Sequence, residues 1–166
     1  MGSKRISLAR AEALMENVKK ELNLVSSTLK YAAICPAVKT VDSSGGVADV
    51  NMTEADYPPG SIITIKTGAT NNNVTVTLPA VKAGLEYTIV AQDTAGTSCT
   101  VKIDAPVNMH GVLICSDGTE PAVTGDELVF DANKFEKGTQ LFFSSDGVSW
   151  FVEGFCQCNV GDVAVS

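Results

Sequence analysis

The segment Gln140-Leu141-Phe142-Phe143-Ser144-Ser145-Asp146-Gly147-Val148-Ser149-Trp150-Phe151-Val152-Glu153 has the pattern of a β-hairpin. Apolar and aromatic residues flank an Asp-Gly pair, a strong hairpin signal because a type I′ turn needs positive φ at both central residues. A two-residue loop at Asp146-Gly147 predicts Phe143 opposite Trp150, Phe142 opposite Phe151 and Leu141 opposite Val152. Successive strand residues point to opposite faces, so this hairpin presents aromatics on both. Each face then needs a cover. One is expected to fill the core of a sandwich, and the other is expected to meet that core or a neighbouring copy of the chain.

Working outward, the period-2 pattern extends over most of the chain. Expected strands are 62–67, 74–78, 86–92, 99–103, 112–115, 127–130, 140–144 and 149–153, separated by Gly68, Asn71 to Asn73, Gly84, Gly96, Gly118, Gly125 and Gly138. Short strands at this spacing predict a mainly β domain, an antiparallel β-sandwich or barrel, over residues 61–166. Tyr87, Phe130, Phe142, Phe143, Trp150 and Phe151 supply most of its large apolar area and are the expected core or subunit-contact residues. Pro79, which lacks an N–H, is expected to end its strand, and Gly84 to supply the turn before Tyr87. Residues 36–60, broken by Ser43-Ser44-Gly45-Gly46 and Pro58-Pro59-Gly60, read as a connector. No internal repeat is visible.

The period changes at the N-terminal end. Leu8, Ala11, Met15, Val18, Leu22, Val25, Leu29 and Ala32 alternate spacings of three and four, a heptad seam that predicts a coiled-coil-like helix over residues 1–35. Leu and Met at a with Val at d leans towards three or four strands, although one helix packed on its own domain satisfies the same pattern. Charge divides along the same boundary. Residues 1–34 carry six basic side chains against three acids, a net +3, whereas the remainder carries six lysines against sixteen acids. Lys4, Arg5, Arg10, Lys19 and Lys20 thus form a basic arm on an acidic body, which suggests different surroundings for the two ends. The acidic body is not expected to bind nucleic acid, because phosphate neutralisation needs clustered Lys and Arg. No apolar run approaches a membrane span and no signal-peptide core is visible, so synthesis in the cytosol and no membrane partner are expected.

Chemistry-bearing patterns are sparse. Five cysteines, Cys35, Cys99, Cys115, Cys156 and Cys158, are odd in number and irregularly spaced, which favours reduced thiols over a disulfide framework. Cys156-x-Cys158 is poor zinc spacing without a second pair or a nearby histidine. His110, the one histidine, reads as a turn residue, and no Gly-x-Ser-x-Gly elbow or phosphate-binding loop is present. The acidic stretches at Asp117 to Glu120 and Asp126-Glu127 do not match a calcium loop. No catalytic, cofactor or metal site is expected.

The order of several segments is distinctive. Val74-Thr75-Val76-Thr77-Leu78-Pro79 is followed by Gly84-Leu85-Glu86-Tyr87-Thr88-Ile89, by Asp93-Thr94-Ala95-Gly96, by His110-Gly111, and finally by Ser145-Asp146-Gly147-Val148-Ser149-Trp150. This series resembles the β-rich module of tailed-bacteriophage head-decoration, head-fibre and tail-fibre proteins, over about half the chain. The resemblance implies a non-enzymatic virion structural protein, commonly a homotrimer, without a cofactor. The chain's brevity favours a decoration protein or short head fibre on the outer capsid surface, with the major capsid protein as partner. Leu8, Ala11, Met15, Val18, Leu22, Val25 and Leu29, together with the basic arm, would then serve oligomerisation or anchoring. The alternative within the resemblance is a tail-fibre or receptor-binding module. A third reading, a polysaccharide hydrolase or lyase, would need carboxylates such as Asp93, Asp117 or Glu127 paired in one cleft.

Overall fold

Alternating burial is the rule in the strands of this chain. Ser61, Ile63 and Ile65 are buried and Ile62, Thr64 and Lys66 are not, and Leu85, Tyr87, Ile89 and Ala91 repeat the pattern one strand further on. A computed structural model describes residues 15–20, 36–67, 72–96 and 98–165. Residues 15–20 belong to one compact unit, Met1–Cys35, and the strands to a second, Pro36–Ser166. Helix α1 is the six-residue segment 15–20. Among the described residues it is a single short helical segment and not the expected heptad coiled coil. The remaining seam residues Leu8, Ala11, Leu22, Val25 and Leu29, with Lys4, Arg5 and Arg10, lie outside the described residues.

The second unit holds β1 (Val38–Asp42), β2 (Ala48–Asn51), β3 (Ser61–Lys66), β4 (Val74–Thr77), β5 (Leu85–Ala91), β6 (Val101–Asp104), β7 (Met109–Cys115), β8 (Ala122–Val123), β9 (Glu127–Phe130), β10 (Gln140–Ser145), β11 (Trp150–Cys156) and β12 (Val163–Val165). They form a seven-stranded sheet, ordered β1-β3-β5-β10-β11-β7-β8, and a five-stranded sheet, ordered β12-β9-β6-β4-β2. The sheets are mixed, not antiparallel as expected: β1-β3, β3-β5, β2-β4, β4-β6 and β7-β11 all run parallel. Residues 36–60, expected as a connector, contribute β1 and β2, one to each sheet.

The parallel pairs reveal a winding that the sequence conceals. From β1 to β6 the chain alternates between the sheets, laying each strand beside the one from the preceding turn. Val38 pairs with Ile62, an offset of 24, and Ser61 with Tyr87, an offset of 26. On the other sheet Ala48 pairs with Val74 and Val74 with Val101, offsets of 26 and 27. The first three turns therefore form a two-sided solenoid. Its corners are tied by repeated bonds from turn to turn. At one, the Ser43 hydroxyl donates to the Asn72 carbonyl at 3.2 Å, the Asn72 amide returns a bond to the Ser43 carbonyl at 2.7 Å, and the Cys99 thiol donates to the same Asn72 carbonyl. At another, the amides of Met52, Leu78 and Ala105 donate to the carbonyls of Thr77, Asp104 and Asp126 in turn.

The β10-β11 hairpin fills the seven-stranded sheet between β5 and β7. It differs from the expected register by two residues. Ser145 pairs with Trp150, Phe143 with Val152 and Phe142 with Glu153, which leaves a four-residue loop at 146–149. Among the loop's residues only Gly147 has positive φ, 95°, so the type I′ turn does not form. The Asp146 carboxylate instead accepts the amides of Val148 and Ser149, both at 2.8 Å, and these bonds hold its pKa below the ordinary 3.8. A shift of two preserves every residue's face. Gly84, with φ 84°, makes the expected turn and donates its amide to the Ser145 carbonyl at 2.9 Å.

The core lies between the sheets. Ile63, Ile65 and Ile89 of the larger sheet meet a layer built from Val74, Val76, Val101, Ile103, Leu128 and Phe130 of the smaller one, all fully buried. Trp150 packs 6.0 Å from Tyr87 between ring centroids and donates its indole N–H to the Pro79 carbonyl at 3.3 Å, and Pro79 follows the end of β4 as expected. Phe135, which no strand pattern marked, stands edge-on to Phe130 at 5.0 Å. Gly111 is one place where the sheet has no room for a side chain: a Cβ there would lie 1.7 Å from the Val152 carbonyl oxygen. Gly111→Ala is therefore expected to cost on the order of 1–3 kcal/mol, the scale of overpacking. Gly161→Ala, where a Cβ meets nothing within 4 Å, should be nearly neutral. Urea unfolding of the two variants checks both.

Candidate functional site

Because β10 and β11 sit mid-sheet, their outward residues share a surface with those of β5 and β7. The registers place them in cross-strand rows. One row runs Glu86, Ser144, Phe151, His110, and the next runs Thr88, Phe142, Glu153, Val112. A third runs Val90, Gln140, Phe155, Ile114. The apolar members of this face remain solvent-accessible: Val112, Ile114, Phe142, Phe151 and Phe155 are each 42–47% exposed. A contiguous patch of this kind on a folded chain marks a contact or ligand surface. Two adjoining hollows lie over it. The larger, of about 770 Å³, is lined by side chains including Glu86, His110, Phe142, Phe151 and Glu153. The smaller, of about 380 Å³, shares Val112, Phe142 and Glu153 and adds Ile114, Glu120 and Phe155.

The expected aromatic set is thus divided. Tyr87, Phe130, Phe143 and Trp150 are buried in the core, whereas Phe142 and Phe151 face out. Phe155, in the last part of β11, joins them. It was legible only as the continuation of the Phe151 parity, and the expected strand stopped two residues short of it. His110 is not in a turn. It lies on β7 with its ring 6.3 Å from that of Phe151. Ser144 shares its row, but the strand of Phe151 stands between them. Two strand spacings, roughly 9–10 Å, separate them, too far for a hydrogen-bonded nucleophile and base.

The other chemistry-bearing groups are dispersed. Asp93 accepts the Thr67 amide at 2.8 Å and its hydroxyl at 3.1 Å. Glu127 is paired with Lys102 at 2.7 Å on the opposite sheet, and Asp117 accepts the Thr119 amide in the turn after β7. The three belong to separate elements and do not form a carboxylate pair. Among the described residues no group of His, Cys, Asp and Glu is arranged to hold a metal ion.

Cys99, Cys115, Cys156 and Cys158 are free and buried, and Cys35 lies outside the described residues. Cys115 and Cys156 are register partners on β7 and β11. A hydrogen bond from the Cys156 thiol to the Cys158 sulfur, together with burial, raises Cys156 above the ordinary thiol range, and the same hydrogen bond lowers Cys158 against the opposing effect of its own burial. Burial raises Cys99 and Cys115. Comparison with protein-family models, with curated proteins and with solved structures finds no match to this chain.

Two expectations follow from this division of faces. Phe143→Ala should lose about 3–5 kcal/mol, the cost of truncating a core ring, whereas Phe142→Ser should stay within about 0.5 kcal/mol of the parent, as measured by urea unfolding. Iodoacetamide should leave Cys99, Cys115, Cys156 and Cys158 unlabelled in the native protein and label all four after denaturation, as read by peptide mass spectrometry.

Proposed function

We propose that this protein is a non-enzymatic virion structural protein, a homotrimer that decorates the outer surface of a tailed-phage capsid and binds its major capsid protein. The observation that carries this reading is the state of the seam residues that the structure describes. Met15 and Val18, at a and d, are 66% and 53% exposed on α1 in the single chain. Apolar side chains left exposed on one helix face are ordinarily buried against another element, here the same helix of two further copies. The charge division supports the same arrangement, with the basic arm anchoring to the shell and the acidic β-unit facing solvent. Buried apolar contact at the helices would then link neighbouring capsid subunits through the three copies and resist internal pressure.

The double variant Met15→Glu, Val18→Glu is expected to reduce the solution mass from three times the 17.3 kDa chain mass to that of one chain. The β-unit should stay folded, as followed by circular dichroism. A parent protein that is already monomeric would defeat the trimer. Immunogold labelling of particles should mark heads, and tail-only labelling would assign the chain to a receptor-binding module instead.

A further inference from the structure

Rings and carboxylates alternate across the outer face of the larger sheet. Phe142 is directly opposite Glu153, diagonal to Phe151 on the same pair of strands, and diagonal to Glu86 on the other side. The smaller hollow continues the series with Phe155 and Glu120. Three phenyl groups and three carboxylates thus lie along two hollows that share Phe142 and Glu153.

Among the described residues no basic side chain forms an ion pair with a carboxylate of this face. The lysines in ion pairs among the described residues serve other carboxylates: Lys66 serves Asp42, Lys82 Glu54, Lys102 Asp104 and Glu127, and Lys134 Asp162. None of them reaches Glu86, Glu120 or Glu153, and His110 is the one basic side chain lining the larger hollow. The occupant that complements such a face is cationic. It is not a single metal ion, because Glu86 and Glu153 are two strands and two residues apart, roughly 12 Å between Cα atoms, and do not converge. Nor does a second copy suit it: an isologous contact would press like carboxylates together, and for a heterologous one the β-unit offers only six lysines against sixteen acids.

We propose that this face binds a linear aliphatic polyamine, its ammonium groups at Glu86, Glu153 and Glu120 and its methylene segments over Phe151, Phe142 and Phe155. Each component of such a ligand has a counterpart here. The carboxylates supply the field, the negative ring faces attract the flanking cations, and the rings remove methylene surface from water. The combined volume accommodates an extended chain of several carbon–nitrogen repeats rather than a compact ion.

The test is titration of spermidine into the full-length protein by calorimetry, with hexaamminecobalt(III) as a cation of equal charge without methylenes, at matched ionic strength. Spermidine is expected to bind at least about threefold more tightly than the cobalt complex. Phe142→Ser and Glu153→Gln are each expected to weaken spermidine two- to fivefold, roughly the scale of an exposed cation–π or ion contact. Asp131→Asn, away from the hollows, should change nothing. Equal affinity for the two cations, or insensitivity to both face variants, would overturn the proposal by reducing binding to diffuse charge. Tighter binding of trilysine than of spermidine would also overturn it, assigning the face to a basic protein segment.

Discussion

The parallel pairing of successive solenoid turns is the constraint on which the rest of residues 36–166 depends. Each turn must cross from one sheet to the other and back within 24 to 27 residues, so that Val38, Ile62 and Thr88 fall in one cross-strand row. Only then do Ile63, Ile65 and Ile89 present one continuous inner layer, and only then do Val74, Val76, Val101 and Ile103 oppose it. Apolar burial supplies the driving force, and the corner bonds among Ser43, Asn72 and Cys99 hold adjacent turns in step. No buried side-chain nitrogen or oxygen among the described residues lacks a partner, as burial away from water requires.

The hairpin is where this scaffold acquires a surface. Its insertion between β5 and β7 converts the end of a solenoid into a broad sheet, and it places three outward phenyl groups near the middle of that sheet rather than on an edge. Edge positions are blunted by other means: Asp42 at the end of β1 is paired with Lys66 at 2.7 Å, and that contact holds the Asp42 carboxyl well below the usual carboxylate range. The mid-sheet position gives the aromatic groove a rigid floor of hydrogen-bonded backbone on both sides. A ligand surface built on such a floor keeps its geometry without help from loops.

All eight expected strands are present, because period-2 alternation survives in Ile63, Ile65, Val74, Val76, Tyr87 and Ile89 whatever the pairing direction. Four strands were not expected. β1 exposes Val38 and Thr40 and buries only Val41, so an edge strand carries little periodic signal. β2 is half-buried at best, and β8 and β12 are two and three residues long. Parallel pairing was invisible for a different reason. A strand's own residues report which face is buried, not the direction of its neighbour. The repeat was hidden because each turn needs only alternating apolar positions, which different residues supply equally well.

Local pattern alone was enough to place eight of the twelve strands, to show which side chains alternate, and to show that Asp146-Gly147 joins two of them. It also determined the split between a basic heptad segment and an acidic β-unit, since charge and periodicity are local properties. Tertiary structure alone decided that Phe143 and Trp150 are core while Phe142, Phe151 and Phe155 are surface. Parity along a strand separates the two sets, but only the packing of one sheet against another chooses which set is covered. It likewise decided that Glu86, Glu120 and Glu153 share one face with those rings, because β5, the turn after β7 and β11 are brought together only by long-range pairing.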